Sequence, residues 1–291
     1  MNKDLPLALA AMTAFALNSL FCRFALERAS IDPISFTLVR LISGALTLLI
    51  LASILSNPRT ANAASKFGFG LSIRLGASLF GYALLFSLAY ISLDTGTGAL
   101  ILFGTVQLTL IAYHRLSGNQ ISPPEWLGIA IALAGFVLLL LPSASQPSLI
   151  GSVLMILSGL CWGIFTLLGK QVTSPIFATR QGFVVASLLV LPVFIINWHV
   201  EVVATVFSTQ GLIYALLSGS LASAIGYFLW YSLLPKIDVL EASLLQLTVP
   251  IIAMVLGWFI IGETMTFLSL SAAALILGGI ALVSWFKLQR K

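Results

Sequence analysis

Along the chain, apolar residues form continuous runs of about 20 residues, separated by short polar segments. A run of this length crosses the hydrocarbon core of a bilayer as an α-helix. A transmembrane β-barrel would instead show alternating segments of ~10 residues. The pattern therefore predicts an all-α polytopic membrane protein.

The runs predict ten transmembrane helices. Their predicted bounds are 5–26, 34–55, 72–92, 96–114, 125–142, 149–169, 178–197, 210–233, 240–261 and 266–286. The longest connection, 56–70, is polar and rich in small residues, so no room remains for a soluble catalytic domain. The first run is too long for the apolar region of a signal peptide, and we interpret it as the first membrane helix.

Composition agrees with a lipid environment. The 291 residues are 59% hydrophobic and only 8% charged, with a mean hydropathy of +1.10, against about 25% charged residues in soluble domains. The net charge of +5 is scattered over segment ends, which does not predict a nucleic-acid partner. Cys22 and Cys161 lie in apolar runs and suggest neither a disulfide nor a metal site.

The basic residues predict the orientation. With an even number of helices both termini share one side, and cytoplasmic loops are enriched in Lys and Arg. That side collects Lys3, Arg59, Lys66, Arg74, Arg115, Lys170, Arg180, Lys236, Lys287, Arg290 and Lys291. The opposite side receives Arg23 and Arg28, close to Glu27 and Asp32. We therefore expect a multi-pass protein of the inner (plasma) membrane with both termini in the cytoplasm.

One carboxylate, Glu263, separates the last two apolar runs in the sequence GWFIIGETMT. A charge at the bilayer centre is costly, so we place Glu263 in the turn between helices 9 and 10. There it could cap helix 10 near the positive end of the helix dipole, or it could serve as a gate or ion site.

An internal repeat relates the two halves. GYALLFSL (81–88) matches GYFLWYSL (226–233), and LSGNQIS (116–122) aligns with IIGETMT (260–266) at an offset of 144. Gly135 aligns with Gly279 at the same offset. The predicted unit has five helices, in domains 1–142 and 143–291. Because five is odd, the second copy is inverted in the membrane, as in many secondary transporters.

Ionisable residues are nearly absent from the predicted helix centres, which carry no Asp, Glu or His. This argues against cation coupling through a carboxylate and against a cationic substrate. Arg40 is the most embedded charge and could hold an anion, but we favour snorkelling or pairing with Asp32. Gln246 fits either an interhelical hydrogen bond or a substrate contact, and Trp162 fits either a cavity wall or plain packing. Pro192 and Pro250 predict kinks.

Enzyme signatures are missing from the sequence. It contains no HExxH, no GxSxG, no cluster of His and Cys and no Walker motif. We therefore predict neither an enzyme nor a bound cofactor.

The segment EASLLQLTVPIIAMVLGWFIIGETMTFLSLSAAALILGGIAL (241–282) resembles the closing part of an EamA domain, from the drug/metabolite transporter superfamily. CWGIFTLLGK (161–170) resembles the opening of that domain, and Pro33 followed by Arg40 resembles the start of its second helix. The resemblance covers essentially the whole chain as two tandem domains. The first half departs from the pattern, with Asn119 at the position of Glu263.

The resemblance implies ten helices around a central cavity lined by helices 1, 3, 4, 6, 8 and 9. Carried over to this chain, the substrate-binding candidates are Asn18, Phe21, Tyr82, Phe86, Gln107, Trp162, Phe165, Tyr227, Trp230, Tyr231 and Gln246. Such a lining suits zwitterionic or weakly polar solutes. The implied function is export of a small metabolite by alternating access, with amino acids as the leading substrate class. A multidrug exporter and a membrane scaffold or sensor without transport are the alternatives.

Overall fold

The computed structural model describes residues 4–26, 30–55, 68–93, 95–140, 148–172, 174–201, 203–261 and 267–289. These residues form ten helical regions, and no extended strand occurs among them. The regions are α1 Leu5–Leu26, α2 Pro33–Leu55, α3 Phe69–Ala89, α4 Thr95–Leu116, α5 Pro123–Leu140, α6 Leu149–Gly169, α7 Pro175–Val200, α8 Thr209–Lys236, α9 Val239–Gln246 with Thr248–Ile261, and α10 Phe267–Gln289.

The predicted helices are all present, with ends shifted by a few residues. α7 begins at Pro175 rather than at 178, because proline is favoured in the first helical turn, where its missing N–H costs nothing. α7 also continues through Pro192 without a break. The turn predicted to hold Glu263 lies outside the described residues.

Helix α8 is irregular in its middle. Its central part, Ser218–Ile225, is a π-helix rich in serine, alanine and glycine. Two of its serines are fully buried and bond outside their own helix: Ser218 donates to Asn18 on α1, and Ser223 accepts from Arg40 on α2. π-helical turns are rare and often occur at functional sites.

Helix α9 consists of two segments separated at Leu247. Pro250 has no amide hydrogen to donate to the carbonyl of Gln246, four residues earlier. The first segment begins with a capping box, in which Asp238 accepts from the amide of Glu241 at 2.8 Å and Glu241 accepts from the amide of Asp238 at 3.1 Å. The irregularity predicted at Pro250 therefore falls next to Gln246.

Most helix contacts join a helix of the first half of the chain to a helix of the second half. α3 packs against α6 and α7, and α4 packs against α6 and α9. α1 packs against α8 and α9, and α2 packs against α7 and α8. The most extensive contact joins α5 to α10. The main apolar core lies between α1, α2, α3, α4, α6, α7 and α8, and a smaller one lies between α4, α5, α9 and α10.

Glycines allow α5 and α10 to approach closely. A Cβ atom at Gly279 would lie 2.5 Å from the Gly128 carbonyl oxygen and 2.6 Å from the Ala132 nitrogen. A Cβ atom at Gly135 would lie 2.8 Å from the Ala272 carbonyl oxygen. Small residues at helix contacts are the usual means of close packing in membranes. Gly135 and Gly279, which correspond in the repeat, therefore lie in the same contact.

The outer surface is suited to lipid. Ile54, Trp198 and Phe267 are more than half exposed, and many other leucines and isoleucines also face outward. Among the described residues, α1, α2, α3, α6, α7 and α8 are each long and apolar enough to cross a membrane, and α5 and α10 contain shorter apolar helices. The protein is thus an all-helical membrane protein.

Polar contacts join the helices at both ends of the bundle. At one end, Ile31 and Phe207 form an antiparallel β-bridge, and the Asp32 amide donates to the Val206 carbonyl at 3.0 Å. This end lies between α1 and α2 and between α7 and α8.

At the opposite end, Lys170 Nζ donates to the carbonyls of Leu234 (3.0 Å) and Ile237. Lys236 Nζ lies 2.6 Å from an Asp4 carboxylate oxygen. These contacts join α6 and the N-terminal residues to the end of α8.

Candidate functional site

Aromatic side chains from α1, α3, α4, α6 and α8 converge on a small cavity inside the bundle. Its volume is about 20 Å³, enough for about one water molecule. The lining residues are Phe15, Asn18, Ser19, Tyr82, Phe86, Leu102, Phe103, Trp162 and Tyr227. In this conformation the side chains therefore leave very little free space between these helices.

Trp162 lies at the centre of the aromatic cluster. Its ring centroid is 4.9 Å from that of Tyr82, 5.0 Å from that of Tyr227, 5.4 Å from that of Phe15 and 5.5 Å from that of Phe165. These distances are in the favourable range for aromatic pairs. The cluster therefore presents ring faces and edges to the cavity from four helices.

The Trp162 indole is oriented by an amide from another helix. Its Nε1 donates to Gln246 Oε1 on α9 at 2.5 Å, and both residues are buried. Gln246 Nε2 in turn donates to the Ala242 carbonyl at 3.2 Å. The interhelical hydrogen bond that the sequence allowed for Gln246 is thus present, and it holds a residue that lines the cavity.

A second polar group reaches the cavity from α1. Asn18 is 4% exposed, and its Oδ1 accepts from Ser218 Oγ at 2.7 Å and from Ser223 Oγ at 3.5 Å. Both serines lie in the π-helical part of α8. The amide oxygen of Asn18, in the wall of the cavity, therefore accepts its hydrogen bonds from α8.

Arg40 lies behind this wall and is 1% exposed. Its Nε donates to Ser223 Oγ at 3.0 Å, and its Nη2 donates to the hydroxyl of Tyr227 at 2.8 Å and of Tyr82 at 3.4 Å. Its Cζ lies 5.4 Å from the centroid of the Tyr82 ring. The two tyrosines, which correspond to each other in the repeat, therefore converge on one guanidinium.

The expectation that Arg40 snorkels or pairs with Asp32 is wrong. The Asp32 carboxylate caps α2, accepting from the amides of Ile34 at 3.1 Å and Ser35 at 2.9 Å, and it also accepts from the amide of Val206 at 3.2 Å. Asp32 precedes Arg40 by two helical turns, and the guanidinium points into the protein. Among the described residues, no carboxylate forms an ion pair with Arg40.

The candidates from the sequence occupy three kinds of place. Asn18, Tyr82, Phe86, Trp162 and Tyr227 line the cavity. Phe165, Trp230, Tyr231 and Gln246 are buried behind the lining and contact it or each other. Phe21 and Gln107 are not among the lining residues, Phe21 being only partly buried.

Gln107 is nevertheless unusual. It is 1% exposed on α4, and neither its amide nitrogen nor its amide oxygen has a hydrogen-bond partner among the described residues. It follows the lining residue Phe103 by one helical turn, on the same face. An unpaired buried amide is costly, and at this position the described residues supply no polar partner.

The sequence alone did not identify Phe15, Ser19, Leu102 or Phe103 as lining residues. Each stands in an apolar run in which one more apolar or small side chain gives no signal. The helical spacing from Asn18 to Phe15 and from Gln107 to Phe103 could have pointed to two of them.

Comparison with known proteins identifies the family. The family model of the EamA-like transporter family matches residues 3–141 and again 149–285. A protein described as uncharacterized, from Pseudomonas aeruginosa, is 43% identical over 97% of this chain and 94% of its own length. A probable amino-acid metabolite efflux pump of Salmonella typhimurium is 23% identical over 77% of each chain, and one of Escherichia coli is 24% identical over 73% of this chain and 74% of its own.

The fold is also found in a solved structure. A crystal structure with 16% sequence identity superposes with a TM-score of 0.74, covering 95% of this chain and 97% of the other. At that identity the likeness establishes the fold alone.

The helical fold, the apolar outer surface and the family match together define a helical membrane transporter. The chain belongs to the EamA-like transporter family, within the drug/metabolite transporter superfamily.

Proposed function

We propose that this protein is a carrier that exports a small zwitterionic or neutral metabolite, with amino acids as the leading class. The observation that carries the proposal is the aromatic cavity with its amide and hydroxyl groups, which is lined by helices from both halves of the chain. Aromatic faces suit an apolar side chain, and the neutral polar groups suit the polar part of a small solute. The names of the distant Salmonella and Escherichia relatives point to the same substrates.

The proposed mechanism is alternating access between two inverted five-helix repeats, 1–142 and 143–291. The pattern of helix contacts supports this arrangement. Each helix of the first half corresponds to the helix five places later in the second half, so that α1 corresponds to α6 and α3 to α8. Under this exchange the α1–α8 and α1–α9 contacts become the α6–α3 and α6–α4 contacts, and the α2–α8 contact becomes the α7–α3 contact. The α2–α7 and α5–α10 contacts are mapped onto themselves. Such contacts support a cavity at the junction of the repeats, which is the arrangement found in other secondary transporters.

Matching glycines support the same arrangement. A Cβ atom at Gly81 on α3 would lie 2.9 Å from Cys161 Sγ on α6. A Cβ atom at the corresponding Gly226 on α8 would lie 2.7 Å from Ala14 Cβ on α1. Each glycine therefore allows the same kind of close contact in its own half.

Alternating access requires that the two ends open in turn. At the end that we place outside the cell, the helices are joined by the Asp32 carboxylate and by the Ile31–Phe207 bridge. At the end that we place in the cytoplasm, they are joined by the contacts of the Lys170 and Lys236 side chains. These contacts are few and polar, so breaking one set separates the helices at one end while the apolar core between them persists.

Counterflow tests the proposal. The full chain is reconstituted in liposomes loaded with one unlabelled amino acid, and uptake of the same labelled amino acid is followed over a panel. We expect uptake that needs the internal amino acid and that is strongly reduced in Trp162→Ala. Gly278→Ala, which places its new Cβ in open space, should keep it. A scaffold or sensor predicts no flux with any solute, and a multidrug exporter predicts flux of lipophilic cations instead.

A further inference from the structure

We infer that Arg40 is the anion-binding group of the cavity and that the transported solute must carry a carboxylate. This inference rests on the proposed transport function and narrows it. It starts from the charge of Arg40, which stands about seven residues, or ~10 Å, into α2 from the helix start at Pro33. At that depth a guanidinium has left water and remains charged.

The partners of Arg40 do not neutralise its charge. Ser223, Tyr82 and Tyr227 contribute hydroxyl oxygens, which accept hydrogen bonds but carry no negative charge. Among the described residues, the lining of the cavity likewise contains no acid. Buried charges in proteins are normally paired, so the site has a positive charge for which the described residues supply no counter-charge.

One edge of the guanidinium is also unused. Arg40 Nη1 is buried, and no residue that the structure describes accepts a hydrogen bond from it, although its Nε and Nη2 are both bonded. A guanidinium binds a carboxylate best through two parallel N–H groups on one edge. Nη1 together with Nη2 presents such an edge once a tyrosine hydroxyl moves away from Nη2.

Tyr82 and Tyr227 connect this edge to the cavity, because both line it and both accept from Nη2. Tyr82 is bonded at 3.4 Å, a long distance, whereas Tyr227 is bonded at 2.8 Å. Displacement of the weaker bond by an entering anion would bring the carboxylate beside Arg40 and leave its apolar part against Trp162 and Phe15. The aromatic cluster and the guanidinium then form one site with an apolar and an anionic half.

Matched ligand pairs test this without changing the protein. The probes are L-leucine with L-leucinamide and L-phenylalanine with L-phenylalaninamide, each measured by equilibrium binding and by thermal stabilisation of the full chain in detergent, in a buffer free of chloride and of carboxylates. We expect each amide to bind about 10- to 100-fold more weakly than its acid, the range for a lost hydrogen-bonded charge pair. Equal binding of acid and amide would overturn the inference.

Variants then assign the preference to Arg40. In Arg40→Gln the preference for the acid over the amide should shrink to within about threefold, and Arg40→Lys should retain part of it. If Arg40→Gln does not fold, the assignment rests on Arg40→Lys, in which an undiminished ratio of acid to amide binding would count against Arg40. A role of Arg40 in packing alone predicts an unchanged ratio, and stabilisation by chloride in place of carboxylates would assign the site to an inorganic ion; either result overturns the proposal.

The failures of the two proposals are distinguishable. Carboxylate binding that depends on Arg40, without any counterflow, would refute the carrier and keep the site. Counterflow that accepts the amides as readily as the acids would keep the carrier and refute the site. A folded wild-type protein that no amino acid and no simple carboxylate such as acetate, lactate or succinate stabilises would also refute the site.

Discussion

Trp162 and Gln246, which stand 84 positions apart in the chain, are joined by a hydrogen bond of 2.5 Å between indole nitrogen and amide oxygen. The bond links α6 to α9 at the point where α9 is interrupted, and it fixes the ring at the centre of the aromatic cluster. The orientation of the cavity wall therefore depends on an amide that does not itself line the cavity.

Replacing Gln246 with Leu should destabilise the protein, because the Trp162 indole N–H would stay buried without an acceptor. The expected cost is about 1–3 kcal/mol. In the double variant Trp162→Phe with Gln246→Leu the donor is removed as well, so its loss should be smaller than the sum of the single losses. Thermal unfolding of the four proteins in one detergent measures this, and additive losses would contradict it.

Gln107→Leu should have the opposite effect on stability. The native amide is buried and has no partner in the described part of the chain, so replacing it with an apolar side chain of similar size should leave the melting temperature unchanged or raise it. Counterflow should nevertheless fall if Gln107 supplies a partner to the solute. The neighbouring Leu108→Ala, on the lipid-facing side at 61% exposure, is the control and should change neither. A clear drop in stability for Gln107→Leu would mean that the amide is satisfied within the protein.

Two adjacent glycines on α10 offer a matched pair. In Gly279→Ala the new Cβ would meet backbone atoms of α5 at 2.5 and 2.6 Å, so we expect a loss of about 1–3 kcal/mol from overpacking. In Gly278→Ala the new Cβ meets nothing within 4 Å, and the better helix former should be neutral or slightly stabilising. Denaturation of the two variants beside the wild type measures the difference, and equal stabilities would refute the close α5–α10 contact.

The pH dependence of stability should include a contribution from Lys170. Burial lowers the pKa of this side chain below its ordinary value of 10.5, and the nearby Glu241 opposes the shift. The unfolded state therefore holds this proton more tightly, so the contribution of Lys170 to stability rises as pH increases through the interval below 10.5. The difference in melting temperature between wild type and Lys170→Met should grow in favour of the wild type between pH 7 and pH 10. A constant difference over that range would argue that burial does not shift the pKa.

The sequence predicted the helices well because lipid leaves little choice. A run such as Leu5–Leu26 has to satisfy its backbone internally, and its bounds follow from where polar residues resume. The helix ends that differ, such as the start of α7 at Pro175, differ through local capping that apolar runs do not encode.

The candidate site was predicted only in part, and Arg40 illustrates why. Its nearest acid along the chain, Asp32, suggested a pair, but a carboxylate just before a helix start is held by the free amides of the first turn. The true partners of Arg40 are 42, 183 and 187 positions away. The repeat identified Tyr82 and Tyr227 as equivalents, yet only the packing of α2 between α3 and α8 brings both hydroxyls to one guanidinium.

The π-helical part of α8 has a mechanical consequence. A π turn contains one residue more than an α turn, so the helix holds one extra residue at this point without being interrupted. Rewinding Ser218–Ile225 as α-helix would rotate the following Tyr227 and Trp230 by about 100° relative to Thr209–Leu217. The same rewinding would move Ser218 away from Asn18 and Ser223 away from Arg40 together, since both serines lie in the π-helical segment. One change of helical register would thus release the guanidinium and turn the aromatic wall in a single motion.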